Sequence, residues 1–180
     1  VGIPYSFAQS DYPNKPIRFV VAFAPGGSTD IAARILAQSL SGILKQSVFV
    51  ENKPGAGASI GTQYVAGSPP DGYTFLLTSP SFIVNPLTMG AIAGYLPDRD
   101  FMPVSIPATQ PMGVVVNEKI GAKNLAELKE LASKDKMSFA TAGNGTPPNL
   151  TCDHLFSQLW KSDVTHIPYK GSGPALIAAV

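Results

Sequence analysis

Hydrophobic and polar residues follow two repeating patterns along the chain. Short runs of β-branched and aromatic residues, of which residues 17–23 are the first, predict buried strands. Each run is followed by a turn of small residues and then by apolar positions at helical spacing. Further strands are predicted at 48–50, 73–78, 137–141 and 164–168, and helices at 28–44, 60–66, 124–132, 149–160 and from 174 onward. This alternation predicts an α/β fold with mostly parallel sheets.

Residue types also predict where three of the helices begin. Ser28 is expected to cap the first long helix, and Asn124 with Glu127 three residues later has the pattern of a capping box. Pro174 is expected to be the first residue of the last helix, because proline is favoured there.

The domain organisation follows from a change of pattern in the middle of the chain. Prolines separate short extended pieces at residues 103–111, as expected of a crossover between two lobes. We therefore expect lobe 1 to span 12–102 and lobe 2 to span 112–180. Residues 1–11 are expected to be a loose N-terminus or the tail of a signal peptide. The last predicted helix has no stop signal, so we expect a C-terminally truncated chain with lobe 1 incomplete.

Charge and composition narrow the classes of ligand. The 180 residues include 13 basic and 12 acidic side chains, a net charge of +1, without a Lys/Arg cluster. Nucleic acid is therefore not expected as a partner, because phosphate backbones need a basic face. The single cysteine, Cys152, excludes an intrachain disulfide and argues against a cysteine zinc site. We expect no metal or cofactor, and an anion would be held by something other than clustered cations.

Small neutral residues fill the turns that follow the predicted strands. In a parallel sheet these turns lie at the carboxyl edge, where ligands bind, and helix N-termini there offer free N–H groups to an anion. Gly27 is expected to allow backbone approach at a positive φ. Asp30 would repel an anion, and its alternative role is to brace its own turn. The candidate ligand-binding residues are Gly26, Gly27, Ser28, Thr29, Asp30, Ser79, Ser81, Phe82, Gly143, Asn144, Gly145, Thr146, Tyr169, Lys170, Gly171 and Ser172.

Two enzyme classes remain open as alternatives at this point. A small α/β hydrolase could use Ser28 as nucleophile, although the G-x-S-x-G motif is absent, and it would need His154 or His166 within hydrogen-bond reach. A dinucleotide enzyme could use the glycine-rich loop 55–61, although its spacing is one residue too long for G-x-G-x-x-G.

Six motifs, in the family's order, resemble the Bug family, the solute-binding receptors of tripartite tricarboxylate transporters. They are YPNKPI (12–17), FAPGGSTD (23–30), VENKPGAG (50–57), DGYT (71–74), AGNGT (142–146) and HIPYKG (166–171). The resemblance implies a two-lobed, type II periplasmic-binding-protein (Venus-flytrap) fold in a protein considerably longer than this chain.

The same resemblance implies a function without catalysis. It implies a periplasmic protein, secreted through a signal peptide, that captures a small organic acid and delivers it to integral-membrane permease subunits. It also implies that backbone groups and waters from the candidate turns hold the ligand carboxylate, and we expect the full-length protein to be a monomer.

Overall fold

The computed structural model describes residues 12–180, and within them it contains twelve α-helices and β-strands. In chain order they are β1 (Ile17–Val21), α1 (Ser28–Leu44), β2 (Val48–Asn52), α2 (Ser59–Ala66), β3 (Thr74–Leu77), α3 (Ser81–Met89), α4 (Pro97–Asp100), α5 (Leu125–Lys134), β4 (Met137–Thr141), α6 (Pro147–Asp153), β5 (Val164–Pro168) and α7 (Ser172–Ala179). The expected signal-peptide tail lies outside the described residues.

The five strands form two parallel sheets. The first has the order β2-β1-β3, with Phe19 of β1 opposite Val50 and Phe75, and the second pairs β4 with β5. The predicted α/β fold with parallel sheets is therefore confirmed. The strands of the first sheet precede residues 103–111 and those of the second sheet follow them. The lobe boundaries themselves stay a prediction.

β1 is the central strand of the first sheet, and all of its side chains except that of Arg18 are apolar. Val20 and Val21 are fully buried, as is typical of a strand inside a parallel sheet. One cluster joins Ile17 and Phe19 to α1, and a second contains Phe23, Ala58 and Ala142. Since Ala142 directly follows β4, the second cluster also links the two sheets.

Two of the three predicted helix starts are wrong. The N-cap of α1 is Gly27, whose carbonyl accepts from the Ile31 amide at 3.0 Å, and Ser28 is the first helical residue. α7 begins at Ser172, two residues before Pro174. The proline still lies in the first turn, where a backbone N–H has no intrahelical partner, so the helix loses no hydrogen bond there.

The predicted capping box of α5 is confirmed in a modified form. Asn124 Oδ1 accepts from the Glu127 amide at 3.0 Å, and the Glu127 carboxylate accepts from the Lys123 amide at 2.8 Å rather than from that of Asn124. The predicted helix 149–160 is also modified, because α6 ends at Asp153 and a π-type turn, His154–Leu159, continues it.

Residues 101–117 connect the two halves without forming a helix or strand. Their apolar side chains are largely in solvent, with Met102, Val104 and Ile106 between 77% and 86% exposed. Within residues 12–180, no helix combines the length and hydropathy needed to cross a membrane.

Candidate functional site

The turn after β1 lies against the start of α7. The Ala24 amide donates to the Lys170 carbonyl at 2.8 Å, and a Cβ placed on Gly27 would lie 3.6 Å from the backbone nitrogens of Ser172 and Gly173. Candidate residues from the two halves of the chain are thus brought into direct contact. Their shared surface is backbone with free helix N-terminal amides, which suits an anion.

A second contact joins the loop after β2 to the turn after β4. Gly57 has a φ of +58°, and a Cβ there would collide with the Asn144 carbonyl oxygen. Gly143 lies equally close, since a Cβ on it would be 3.3 Å from the Gly57 Cα. Glycine in loop 55–61 therefore allows close packing of this loop against the turn after β4. This role is different from the binding of a dinucleotide.

The strand order places the first-sheet turns where ligands bind in folds of this kind. The chain leaves β1 toward β2 on one side and then passes to β3 on the other side of β1. Ligands bind in the crevice at the carboxyl ends of strands where the direction of connection reverses. The candidate segments 26–29 and 79–82 lie at the carboxyl ends of β1 and β3 respectively.

Asp30 braces the turn after β1. Its carboxylate accepts from the Gly26 amide (3.0 Å), from Arg34 Nε (2.9 Å) and from Asn52 Nδ2 (2.8 Å). Burial by itself raises the pKa of Asp30, but these hydrogen bonds and the Arg34 charge hold that pKa below its usual value. The carboxylate therefore stays charged and is bound by groups of the chain itself, which fits the alternative that Asp30 braces its own turn.

The glycine conformations of this turn differ from the expectation. Gly26 has the positive φ, +82°, whereas Gly27 has an ordinary φ of −83°. Gly27 matters for the space it leaves in front of α7, and Gly26 for the bend of the chain. Thr29 follows in the first turn of α1 and is partly buried.

The residues after β3 pack mainly among themselves. Ser81 is fully buried, and its hydroxyl lies 2.8 Å from that of Ser79. The Phe82 ring stacks on Tyr95 at 5.6 Å and meets Phe101 edge-on at 5.0 Å. Both aromatic partners of Phe82 thus belong to residues 12–102.

The turns of the second sheet are fixed by their own hydrogen bonds. Thr146 is buried and its hydroxyl donates to the Gly143 carbonyl at 2.6 Å, while the Tyr169 amide donates to the Thr141 carbonyl at 2.9 Å. Gly171 packs against Ala24 and is the N-cap of α7. The side chain of Lys170 is exposed, and among the described residues it forms no ion pair.

Neither histidine supports the hydrolase alternative. His166 Nε2 is 2.7 Å from the Thr141 hydroxyl, and Nδ1 is 3.4 Å from Asn149 Nδ2. Within residues 12–180, Ser28 makes no hydrogen bond to His166 or to the exposed His154. The nucleophile and base that such an enzyme requires are therefore not paired.

Sequence reasoning missed Asn85, which lies beneath the contact between Gly57 and the second-sheet turn. Its Nδ2 donates to the Gly57 carbonyl at 2.7 Å and to the Ser59 hydroxyl at 3.0 Å. Asn85 is fully buried, its Oδ1 faces Gly145, and that oxygen has no hydrogen-bond partner among the described residues. No local signal in the sequence pointed to this contact.

A cavity of about 390 Å³ lies away from these turns, at the amino ends of the first-sheet strands. Its lining includes Arg18, Phe49 and Thr74, together with Lys15 and Asp71, which form an ion pair at 2.8 Å. The candidate turns themselves are packed against one another.

Comparisons with known proteins place this fold in a class. The structure titled "Structure of periplasmic binding protein BugD" matches 93% of this chain and 56% of its own, with 37% identity and a TM-score of 0.79. MatC from Rhodopseudomonas palustris, solved with bound malate, matches 93% of this chain and 57% of its own, with 30% identity and a TM-score of 0.83. The fold is thus that of the periplasmic binding proteins, which are solute-binding receptors and not enzymes.

The family follows from the sequence match. The model of the tripartite tricarboxylate transporter family receptor matches residues 32–180, and Protein BugT of Bordetella pertussis is 38% identical over 182 residues, covering 98% of this chain and 55% of BugT. The chain therefore belongs to the tripartite tricarboxylate transporter receptor family, which confirms the resemblance drawn from the motifs. It spans about half the length of the curated relatives it matches.

Proposed function

We propose that this chain belongs to an extracytoplasmic receptor that captures a small organic acid in the periplasm and hands it to integral-membrane permease subunits. The ligand carboxylate would be held by backbone N–H groups of the turns after β1, β3, β4 and β5. Malate bound to MatC supports a carboxylate as the class of ligand. Asp30 takes the role of a brace, so it does not contact the ligand.

The contact between the Gly27 turn and the first amides of α7 carries this proposal. The Ser172 and Gly173 nitrogens lie at the start of an eight-residue helix, where N–H groups have no intrahelical partner and the helix dipole is positive. The Asn144 amide, in the facing turn after β4, also has no hydrogen-bond partner among the described residues. These donors attract a carboxylate without a cluster of cations.

The remaining candidate residues shape the site around these amides. Glycines let the backbones approach one another, and the hydroxyl groups of Ser28, Thr29 and Ser172 offer neutral donors that do not repel the ligand charge. The proposed site consists of Gly26, Gly27, Ser28, Thr29, Ser79, Ser81, Phe82, Gly143, Asn144, Gly145, Thr146, Tyr169, Lys170, Gly171 and Ser172.

A titration followed by ¹H–¹⁵N NMR tests the proposal, because it detects weak as well as tight binding. On addition of malate we expect the amide signals of Gly27, Asn144 and Ser172 to shift together and to saturate. The amides of α5, which belongs to none of these turns, serve as the internal control. Malamide, the uncharged diamide of malate, should produce no such shifts, because the proposed donors recognise the carboxylate charge.

The side chain of Lys170 separates backbone recognition from ionic recognition. Lys170→Ala should weaken malate binding by less than about tenfold, since loss of an exposed ion pair costs roughly 0.2–1 kcal/mol. If malate moves no signal of the turns at millimolar concentration, or if Lys170→Ala abolishes the shifts, the proposed mode of recognition is wrong.

A further inference from the structure

His166 lies directly beneath the turn after β4. It belongs to β5, opposite Phe139 of β4, and its ring stacks on Phe139 with 4.9 Å between centroids. Its two nitrogens face two residues that hold that turn, Thr141 through Nε2 at 2.7 Å and Asn149 through Nδ1 at 3.4 Å. The imidazole thus connects the end of one strand with the beginning of α6.

The hydrogen bonds around Asn149 determine where the imidazole proton resides. The Gly145 amide donates to Asn149 Oδ1 at 3.0 Å, so the amide group of Asn149 must turn its NH₂ toward His166. An NH₂ group can only donate, and Nδ1 of His166 must therefore be an unprotonated acceptor. The proton of the neutral ring then lies on Nε2 and is donated to the Thr141 hydroxyl oxygen.

Thr141 extends this network of hydrogen bonds to Gly143, at the start of the turn. Its hydroxyl oxygen accepts from His166 Nε2 and from the Gly143 amide at 3.3 Å, and its own hydrogen is left to point at the Gly143 carbonyl, 3.4 Å away. The amides of Gly143 and Gly145 thus both donate to side chains of the chain itself, those of Thr141 and Asn149. The amide of Asn144 between them is left for a ligand.

We propose that His166 is a positioning residue for the turn 143–146, which it holds in its binding form only as the neutral tautomer with the proton on Nε2. The proposal rests on the proposed function in one respect, namely that this turn contacts the organic acid. His166 itself does not contact the ligand.

Protonation of the ring opposes this arrangement. A second proton on Nδ1 would point at the NH₂ group of Asn149, donor against donor, and rotation of that amide would remove the acceptor of the Gly145 amide. Burial lowers the pKa of His166, and the carboxylate of Asp153 on α6 opposes that shift. Phe139, Thr141 and Asn149, which stack on the ring or form hydrogen bonds with it, are uncharged, and the neutral form prevails at neutral pH.

The first experiment uses the unmodified chain and needs no ligand. ¹⁵N and ¹³Cδ2 shifts of the imidazole identify its tautomer, and we expect the form with the proton on Nε2. On acidification the amide signal of Gly145 should shift with the same midpoint as the His166 ring. The opposite tautomer, or a Gly145 signal that stays constant while the ring titrates, would overturn the proposal.

The second experiment measures malate affinity against pH in three variants. His166→Phe keeps the stacking but removes both nitrogens, and we expect about tenfold weaker binding at pH 7 and no pH dependence between pH 5 and 7 beyond that of the second ionisation of malate itself. His166→Gln restores a donor to Thr141 and should recover part of the affinity without the pH dependence. His154→Gln, at the exposed histidine, is the matched control and should behave as the unmodified chain.

The two experiments separate this inference from the proposed function. If malate binds but the His166→Phe profile keeps the pH dependence of the unmodified chain, the positioning role is wrong and the receptor function stands. If malate does not bind, the receptor function fails, and the tautomer and the Gly145 titration still decide the role of His166.

Discussion

Replacing Gly27 by alanine should remove ligand binding while leaving the fold intact. The φ of Gly27, −83°, is accessible to alanine, and the added Cβ would meet its nearest atoms at 3.6 Å, an ordinary van der Waals distance. Alanine is a poorer N-cap than glycine by about 0.5–1 kcal/mol, but it also restricts the unfolded chain by about 0.4–1 kcal/mol. These effects oppose each other, so we expect the free energy of unfolding to change by less than about 1 kcal/mol.

The loss of affinity follows from where the new methyl group would lie. It would stand in front of the Ser172 and Gly173 nitrogens, in the space that a carboxylate oxygen needs in order to approach to about 2.9 Å. A hydrogen bond to a charged group is worth about 1.5–3 kcal/mol, so the loss of both would cost about 3 kcal/mol or more. Since 1.4 kcal/mol is a factor of ten, malate affinity should fall more than about 100-fold.

Gly121→Ala, outside the proposed site, provides the matched control for this prediction. A Cβ on Gly121 would have no atom within 4 Å, but its φ of +76° is strained for alanine. This variant should lose about 1–2 kcal/mol of stability and change malate affinity by less than about threefold. Titration calorimetry measures the affinities and urea denaturation the stabilities. If Gly27→Ala still binds malate normally, or if both variants lose affinity equally, the amides of α7 are not the anion site.

Three further changes test the packing around the site. Asp30→Asn should lower the free energy of unfolding by about 2 kcal/mol at pH 7. The folded-state pKa of the carboxyl is depressed, so its contribution to stability is present above the unfolded value of 3.8 and is lost as pH falls through the folded value. Denaturant curves should therefore show a smaller deficit at pH 3 than at pH 7, and an equal deficit would contradict the bracing role. Gly57→Ala should cost about 2–3 kcal/mol in thermal unfolding, because its Cβ would collide with the Asn144 carbonyl, and an unchanged midpoint would mean that the two turns do not meet. The exposed side chains of Val104 and Ile106 should make the chain self-associate, and light scattering should show less association for Ile106→Glu; a monodisperse monomer before the substitution would refute this.

The sequence predicted the elements whose signal is local. Every strand is a short segment rich in β-branched, aromatic or other apolar residues between turn residues, and the capping box of α5 depends on side chains only three positions apart. The wrong starts of α1 and α7 have a common cause, because Ser28 and Pro174 satisfy local preferences while contacts between distant segments decide the cap. The N-cap Gly27 lies against the start of α7, some 145 residues later in the chain.

The candidate site shows the same division. Residue types in the turns indicated backbone recognition, and the parallel sheets bring the turns after β1 and β5 together. The roles of Asn85 and His166 could not be predicted, because each depends on a hydrogen bond to a residue 17 or more positions away. The bracing by Asp30 was foreseeable only as an alternative, since its partner Asn52 lies on a neighbouring strand.

The contact between the two halves has a consequence for motion. It consists of one backbone hydrogen bond, from the Ala24 amide to the Lys170 carbonyl, together with close approaches of glycines and the packing of Ala142. None of the ion pairs among residues 12–180 joins residues 12–102 to residues 112–180. Separation of the halves therefore breaks none of these ion pairs. Opening and closing on the microsecond-to-millisecond scale of hinge motions should proceed at a rate that salt does not alter.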